Sequence, residues 1–240
     1  MVKDLPPLFD LDNTLLDTRL LALEAYQRAL FEVVGLRLDQ VSLVEANPGV
    51  PAVDFLTKVL SRRGIAPDAV LVERTRAAFR RWLHDEELLW STLRLVPGIE
   101  VLVRDLRAAG WPLVIITQKP QSIAEVHMAR VDLQPDILIS TEGRSEVGAL
   151  PKVSGLLQAL DELGGRHAPS SYLYVGDAPA DCRAAKAAGL RAAAACWCTW
   201  AGALPQGCPE RELLHLRQVA ALVIERPDRL FTSPEEVFGD

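Results

Sequence analysis

The sequence predicts an α/β protein: a parallel sheet flanked by helices, with an all-helical subdomain inserted into it. Three observations lead there. Short apolar runs alternate with helical patterns over much of the chain, as strands and crossover helices alternate in a parallel sheet. Four of these runs end in polar clusters, where open parallel sheets place their ligand sites. The stretch between the first and second runs is far longer than the dozen or so residues that a simple crossover needs. The core is therefore expected to be Rossmann-like, and something is inserted into it.

Pro7 to Leu11 reads as the first strand, and Leu8-Phe9 leads straight into Asp10 and Asp12. The helical cap is expected over roughly Leu20 to Leu93. Within it Leu23, Tyr26, Leu30, Val33 and Val34 recur at helical spacing, as do Phe55, Leu56, Val59 and Leu60, then Leu71, Thr75, Phe79 and Trp82. Gly35, Asn47-Pro48-Gly49 and Gly64-Ile65-Ala66-Pro67 break these runs. After Val96-Pro97-Gly98 a helix over 99–109 leads through Ala109-Gly110 into a strand at Pro112 to Thr117. Further strands are expected at Asp136 to Ser140, Ser171 to Val175 and Arg191 to Cys196. In the tail, Leu222 to Ile224 reads as a last short strand and Glu225 to Leu230 as a closing turn. This divides the chain into a core of residues 1–19 and 94–240 and a cap of residues 20–93.

Composition narrows the classes of function. Hydrophobic residues at 49% and charged residues at 24% are ordinary for a globular protein. A formal net charge of -6 argues against nucleic acid as the main ligand, because phosphate backbones are bound through basic surfaces. No apolar run suits a signal peptide or approaches the ~20 residues that span a bilayer. A soluble cytoplasmic protein without a membrane partner is expected, and the pattern commits to no oligomeric state. Cys182, Cys196, Cys198 and Cys208 all fall in the last quarter. A Cys196-Trp197-Cys198 loop with Cys208 lacks a nearby fourth metal ligand, so these read as free thiols.

Asp10 and Asp12 would point to one face of a strand, since side chains alternate. Two carboxylates there need a counter-charge, because burying an unpaired one costs several kcal/mol or more. Hard oxygen donors suit magnesium. Asp177, after Tyr172-Leu173-Tyr174-Val175-Gly176, is the natural third acid from a neighbouring strand, and Asp181 lies one turn into the next helix, where it can support the metal ligands. Thr117 with the N–H groups that lead into the helix after Pro120 makes a phosphate cradle, and Lys152 adds a point charge. Acids, a threonine and a lysine at successive strand ends point to phosphoryl transfer to a carboxylate.

These elements, Asp10-Leu11-Asp12-Asn13-Thr14, Ile115-Ile116-Thr117, Lys152 and Gly176-Asp177-Ala178-Pro179-Ala180-Asp181, resemble the four motifs of the haloacid dehalogenase superfamily. Pro97-Gly98, Gln118-Lys119-Pro120 and Ala184-Ala185-Lys186-Ala187-Ala188-Gly189 are similar to the phosphoglycolate-phosphatase-like branch with a helical cap. The resemblance implies a magnesium-dependent phosphatase acting on a small phosphorylated metabolite. It implies Asp10 as the nucleophile that forms an aspartyl-phosphate, and Asp12 as general acid and then base. The implied metal ligands are Asp10, the main-chain carbonyl of Asp12, and Asp177. It further implies phosphate binding by Thr117, Gln118 and Lys152 and a substrate-facing loop at Gly49, while the position of the insertion leads to an expected closure of the cap over the site.

The chain departs from the family pattern in places. Pro151-Lys152 inverts the common Lys-Pro order, yet Lys152 is the only lysine between Lys119 and Lys186. Gln118 stands where Asn is common, and Asn13 stands for the more usual Gly in a turn whose left-handed backbone Asn also accepts. Thr14 is read as a support of that turn, Asp17 and Thr18 as caps of the first cap helix, and His84 and His127 as surface or internally satisfied residues. A haloacid dehalogenase is disfavoured by Asp12, and a phosphosugar mutase by Ala22, where a cap histidine would be expected. A phosphoacceptor module would be shorter and have no cap. A catalytically silent binding relative is the remaining alternative.

Overall fold

The computed structural model describes residues 6–46, 50–143, 150–165 and 167–238. In chain order the elements are β1 (Pro7–Phe9), β2 (Leu16–Asp17), α1 (Arg19–Val34), α2 (Gln40–Glu45), α3 (Ala52–Arg62), α4 (Ala69–Trp82), α5 (Glu86–Thr92), β3 (Arg94–Leu95) and α6 (Ile99–Ala108). They continue with β4 (Val114–Thr117), α7 (Gln121–Arg130), β5 (Ile137–Ser140), α8 (Lys152–Glu162), β6 (Leu173–Gly176), α9 (Pro179–Ala187), β7 (Arg191–Ala195), α10 (Pro209–Ile224) and β8 (Arg229–Phe231).

Among the described residues six strands form one sheet in the order β5-β4-β1-β6-β7-β8, every pair parallel. The expected α/β core is therefore present. Its central strands are buried along their whole length, which is why they read as continuous apolar runs rather than alternating ones. Leu8, Val114, Ile116, Tyr174, Ala192 and Ala194 share one apolar cluster with Leu156 and Ala159 of α8 and Ala184 and Ala185 of α9. Alternate residues of neighbouring strands thus supply one face of the sheet for these helices to cover. α8 lies close to that face. A Cβ on Gly155 would stand 2.5 Å from Thr141 Cγ2 and 2.9 Å from Ile116 Cγ2, so only glycine permits this approach.

Contacts divide the chain into two compact units, one of residues 1–17, 94–199 and 218–240, the other of Thr18–Leu93 with Trp200–Arg217. In the second, Tyr26 of α1 stacks on Phe79 of α4 at 3.9 Å and lies 4.1 Å from Phe55 of α3. Asp39, Asp68 and Asp85 accept the backbone N–H of Ser42, Leu71 and Leu88 and so cap α2, α4 and α5. The expected boundary needs correction here: residues 200–217, placed with the core by sequence, belong to this unit. The reason is packing, since Trp200, Ala201, Leu204 and Leu214 enter the same apolar cluster as Leu23, Tyr26, Leu30, Phe55 and Leu60.

Two further corrections concern local structure. Leu222 to Ile224 is the last turn of α10, not a strand, because Val219 and Leu222, three residues apart and so on one helix face, pack on the apolar cluster of the sheet. The last strand, β8, begins inside the segment read as a closing turn and runs one residue past it; Cys196 N–H donates to Phe231 O and Asp228 N–H to Ala192 O. Thr18 occupies the N-cap of α1, but its side chain makes no capping hydrogen bond. The antiparallel β2–β3 pair, Leu16 opposite Leu95 and Asp17 opposite Arg94, has no sequence signal at two residues per strand. No helix among the described residues is long and apolar enough to cross a membrane.

Candidate active site

Residue pairing sets the site's frame. Phe9 pairs with Ile115 on β4 and with Val175 on β6. Asp10, Thr117 and Gly176-Asp177 therefore leave the carboxyl ends of three neighbouring strands. β1 ends at Phe9, two residues earlier than expected, but Asp10 N–H still donates to Val175 O at 2.9 Å. The chain then turns through Asn13, whose φ of 56° is left-handed, as expected for Asn in the usual place of Gly. Leu15 and Leu16 N–H both donate to Leu11 O at 3.0 Å. Thr14 supports this turn through its carbonyl, which accepts Trp197 Nε1–H at 3.0 Å. Its buried hydroxyl oxygen has no hydrogen-bond partner among the described residues.

Lys152, the first residue of α8, is buried and reaches Asp10 Oδ1 at 2.8 Å and Asp181 Oδ1 at 2.5 Å. Asp181 uses its other oxygen to accept Ala178 N–H at 2.9 Å, so it clamps the turn that carries Asp177. Gly176 makes room for this: a Cβ there would stand 2.5 Å from the Asp181 carboxylate. Oxygens of Asp10, Asp177 and Asp181 all lie within 4.8 Å of one another.

The electrostatics follow from three carboxylates around one ammonium. Burial pushes the Asp10 carboxyl up to about 7, with Lys152 pulling it back and Asp181 adding to the rise. Desolvation and the neighbouring Asp10 and Asp181 hold Asp177 well above the usual carboxylate range. Burial pulls Lys152 down, but Asp10 and Asp181 outweigh it, and the ammonium titrates well above its usual value. Negative charge here exceeds what Lys152 balances. A cluster of hard oxygen donors with uncompensated charge fits a divalent cation such as Mg2+.

Asp12 sits on the open side, its side chain 33% exposed, and its Oδ1 meets Lys119 Nζ at 2.5 Å. Lys119 Nζ is also 2.8 Å from Nδ1 of the fully buried His127. Thr117 is buried, its Oγ1 accepts Lys119 N–H at 3.1 Å, and its own O–H is left to donate. Its carbonyl accepts Thr141 N–H at 2.8 Å, which ties this strand end to β5. Gln118 follows, exposed, one position before Lys119. Gly49 lies outside the described residues.

Asp10, Lys152, Asp177 and Asp181 thus form one cluster, with Asp12 and Thr117 on the loop and strand end beside it. Sequence reasoning missed Lys119 and His127 as parts of the site. A signal was present: Ile123, Ala124, His127 and Met128 form the buried face of α7, and a polar ring on such a face needs a partner. Cys182 and Cys196 share the apolar cluster of the sheet, and all four cysteines are free thiols. Among the described residues, the group of three or more His, Cys, Asp or Glu placed to hold a metal is Asp10, Asp177 and Asp181.

A family model described as haloacid dehalogenase-like hydrolase matches residues 8–189, a span that takes in this whole cluster. The chain belongs to the haloacid dehalogenase-like hydrolases. This hydrolase is 31% identical over 198 residues to a phosphoglycolate phosphatase of Xanthomonas campestris pv. campestris, covering 79% of this chain and 82% of that one. It is 33% identical over 189 residues to a phosphoglycolate phosphatase of Cereibacter sphaeroides, covering 76% and 81%. The crystal structure of a predicted phosphoglycolate phosphatase from Haemophilus somnus 129PT superposes with a TM-score of 0.75 at 19% identity, over 99% and 97% of the two chains. Its likeness is one of fold. Family and relatives together make this hydrolase a phosphatase.

Proposed function

We propose that this phosphatase hydrolyses a small phosphate monoester, with 2-phosphoglycolate as the first candidate, through a phosphorylated Asp10. The Asp10 carboxylate carries this assignment: it lies at the end of the central strand, held by Lys152 at 2.8 Å beside Asp177 and Asp181. The substrate class draws support from the curated relatives that bear that name.

An Asp10 oxygen attacks phosphorus, the P–O ester bond breaks, and the Asp12 carboxyl gives its proton to the leaving oxygen. Asp12, now a carboxylate, takes a proton from water. The hydroxide attacks the acyl phosphate, inorganic phosphate leaves, and Asp10 is a carboxylate again. Thr117 O–H and the Gln118 N–H receive phosphoryl oxygens, and the Lys152 ammonium offsets their charge. Asp181 holds Lys152 and the Asp177 turn in place through the bonds described above. Asp10, the Asp12 carbonyl and Asp177 are the groups assigned to hold Mg2+, which when bound shields carboxylate from phosphate and neutralises charge at the transition state.

The test is phosphate release by the full-length protein from 2-phosphoglycolate and a panel of other phosphorylated metabolites, with Mg2+ or with a chelator. Release that needs Mg2+, is greatest in kcat/KM for 2-phosphoglycolate, and is abolished in Asp10→Asn is expected. Failure to turn over any panel member, or full activity in Asp10→Asn, would overturn the phosphatase mechanism. Preference for another ester would overturn the substrate alone.

A further inference from the structure

We infer that His127 is a positioning residue for Asp12, acting through Lys119. The inference rests on Asp12 being the acid–base carboxyl proposed above.

His127 is 0% exposed on a helix face otherwise made of Ile123, Ala124 and Met128. A polar ring there is costly unless hydrogen-bonded. Its Nδ1 lies 2.8 Å from Lys119 Nζ. An ammonium has three donors and no acceptor, so Nδ1 must accept, and the ring is the neutral tautomer protonated at Nε2. A second Lys119 N–H goes to Asp12 Oδ1 at 2.5 Å. The same ammonium therefore spans a buried imidazole and a carboxylate that faces the site.

The rest of Lys119 is fixed too. Its N–H donates to Thr117 Oγ1 at 3.1 Å, its carbonyl accepts Ser140 Oγ–H at 2.8 Å, and its side chain is 7% exposed. A lysine stem has four rotatable bonds, so anchoring the backbone alone leaves the ammonium many positions. His127 removes that freedom and aims the donor at Asp12 Oδ1. Without it, Lys119 could follow the carboxylate or swing away. The proton delivered to the leaving oxygen would then come from a less well placed group, and placement governs such transfers.

The consequence is specific to leaving groups. An alkyl ester needs its leaving oxygen protonated, whereas an aryl ester with an acidic phenol hardly does. The experiment measures kcat/KM, which reports steps through phosphoryl transfer to Asp10, for one alkyl and one nitrophenyl phosphate. Wild type, Asp12→Asn, His127→Leu, His127→Asn and Lys119→Met are compared, with melting curves for each. His127→Leu is expected to lose about tenfold or more on the alkyl ester and under about twofold on the aryl ester. His127→Asn, whose Oδ1 replaces Nδ1 as acceptor, is expected to recover most of that loss. In a Lys119→Met background His127→Leu is expected to add nothing further.

Equal loss on both esters, or an undiminished effect without Lys119, overturns the inference while leaving the phosphatase assignment intact. If Asp12→Asn itself shows no leaving-group bias, the role of Asp12 fails instead, and the inference falls with it. Where His127→Leu does not fold, His127→Gln, which moves the acceptor away from the Nδ1 position, is expected to show the same bias, and its absence overturns the inference equally.

Discussion

Lys152 is the ammonium that two buried carboxylates of the site share. It is buried between Asp10 and Asp181, with Asp177 close by. Removing one partner of a buried ion pair leaves uncompensated charge, at a cost of about 3–5 kcal/mol. Lys152→Met is therefore expected to lower unfolding free energy in urea by about that much and to abolish turnover. Unchanged stability would mean that the carboxylates find another counter-charge. The four thiols make a contrasting case at the same scale. Burial pushes Cys182 up to about 12 and Cys196 up to about 11, and Cys198 is also buried, while Cys208 is the one that reaches solvent. Only a thiolate attacks a thiol reagent. The hydrogen bond to Glu210 raises Cys208 too, so at pH 8 the native protein is expected to label slowly, at Cys208 alone because only that thiol is reachable, and at all four thiols only after unfolding. Labelling of Cys182 or Cys196 in the folded state would contradict their burial. Asp10, Asp12 and Asp177 are legible because each follows an apolar strand run, and Lys152 because it is the only lysine between Lys119 and Lys186. Lys119 and His127 are not, because their link joins a loop to the inner face of a helix, and neither residue type at either position is unusual by itself.

At the level of elements, α8 shows how packing tolerance sets a site distance. Lys152 begins this helix, and Gly155 lies within its first turn, where any side chain would meet Thr141 and Ile116. Gly155→Ala must push the helix start off β4 and β5 by some tenths of an ångström. Overpacking of this kind costs about 1–3 kcal/mol, and here it also moves the ammonium away from Asp10. The expected result is a loss in unfolding free energy in that range together with a clear fall in kcat/KM; a stable variant with full activity would show that the helix has room to shift. Sequence alone singled out Lys152 but said nothing of this approach, since a glycine in a helix reads only as a weak former. The misread tail has a similar cause. Leu222-Val223-Ile224 has strand-like composition, yet Val219 and Leu222, one helical turn apart on the sheet's apolar cluster, keep it helical, and tertiary packing overrides composition in so short a run. β8, three residues at the sheet edge, is recognisable only by its partner β7.

For the molecule as a whole, chain order and packing order differ. The second compact unit is built mainly from the insertion after Asp17, but Trp200, Ala201, Leu204 and Leu214 join its apolar cluster from far along the chain. Periodicity in the insertion could be read locally, whereas this return could not, because nothing in a segment such as Trp200-Ala201-Gly202-Ala203-Leu204 says which core it fills. Trp200 tests the assignment. Its removal leaves a cavity among Leu23, Tyr26 and their neighbours rather than beside the sheet, and Trp→Ala in a core costs about 3–5 kcal/mol. In Trp200→Ala, amide hydrogen exchange is expected to accelerate in α1 and α3 while β1, β4 and β6 keep the protection of the parent. Loss of protection confined to the sheet, or spread evenly over both units, would place Trp200 in the other core. Retained protection in the strands also means that Asp10, Thr117 and Asp177 stay where the sheet puts them. Any loss of turnover in Trp200→Ala is then expected to be smaller than in Lys152→Met, measured in the same assay.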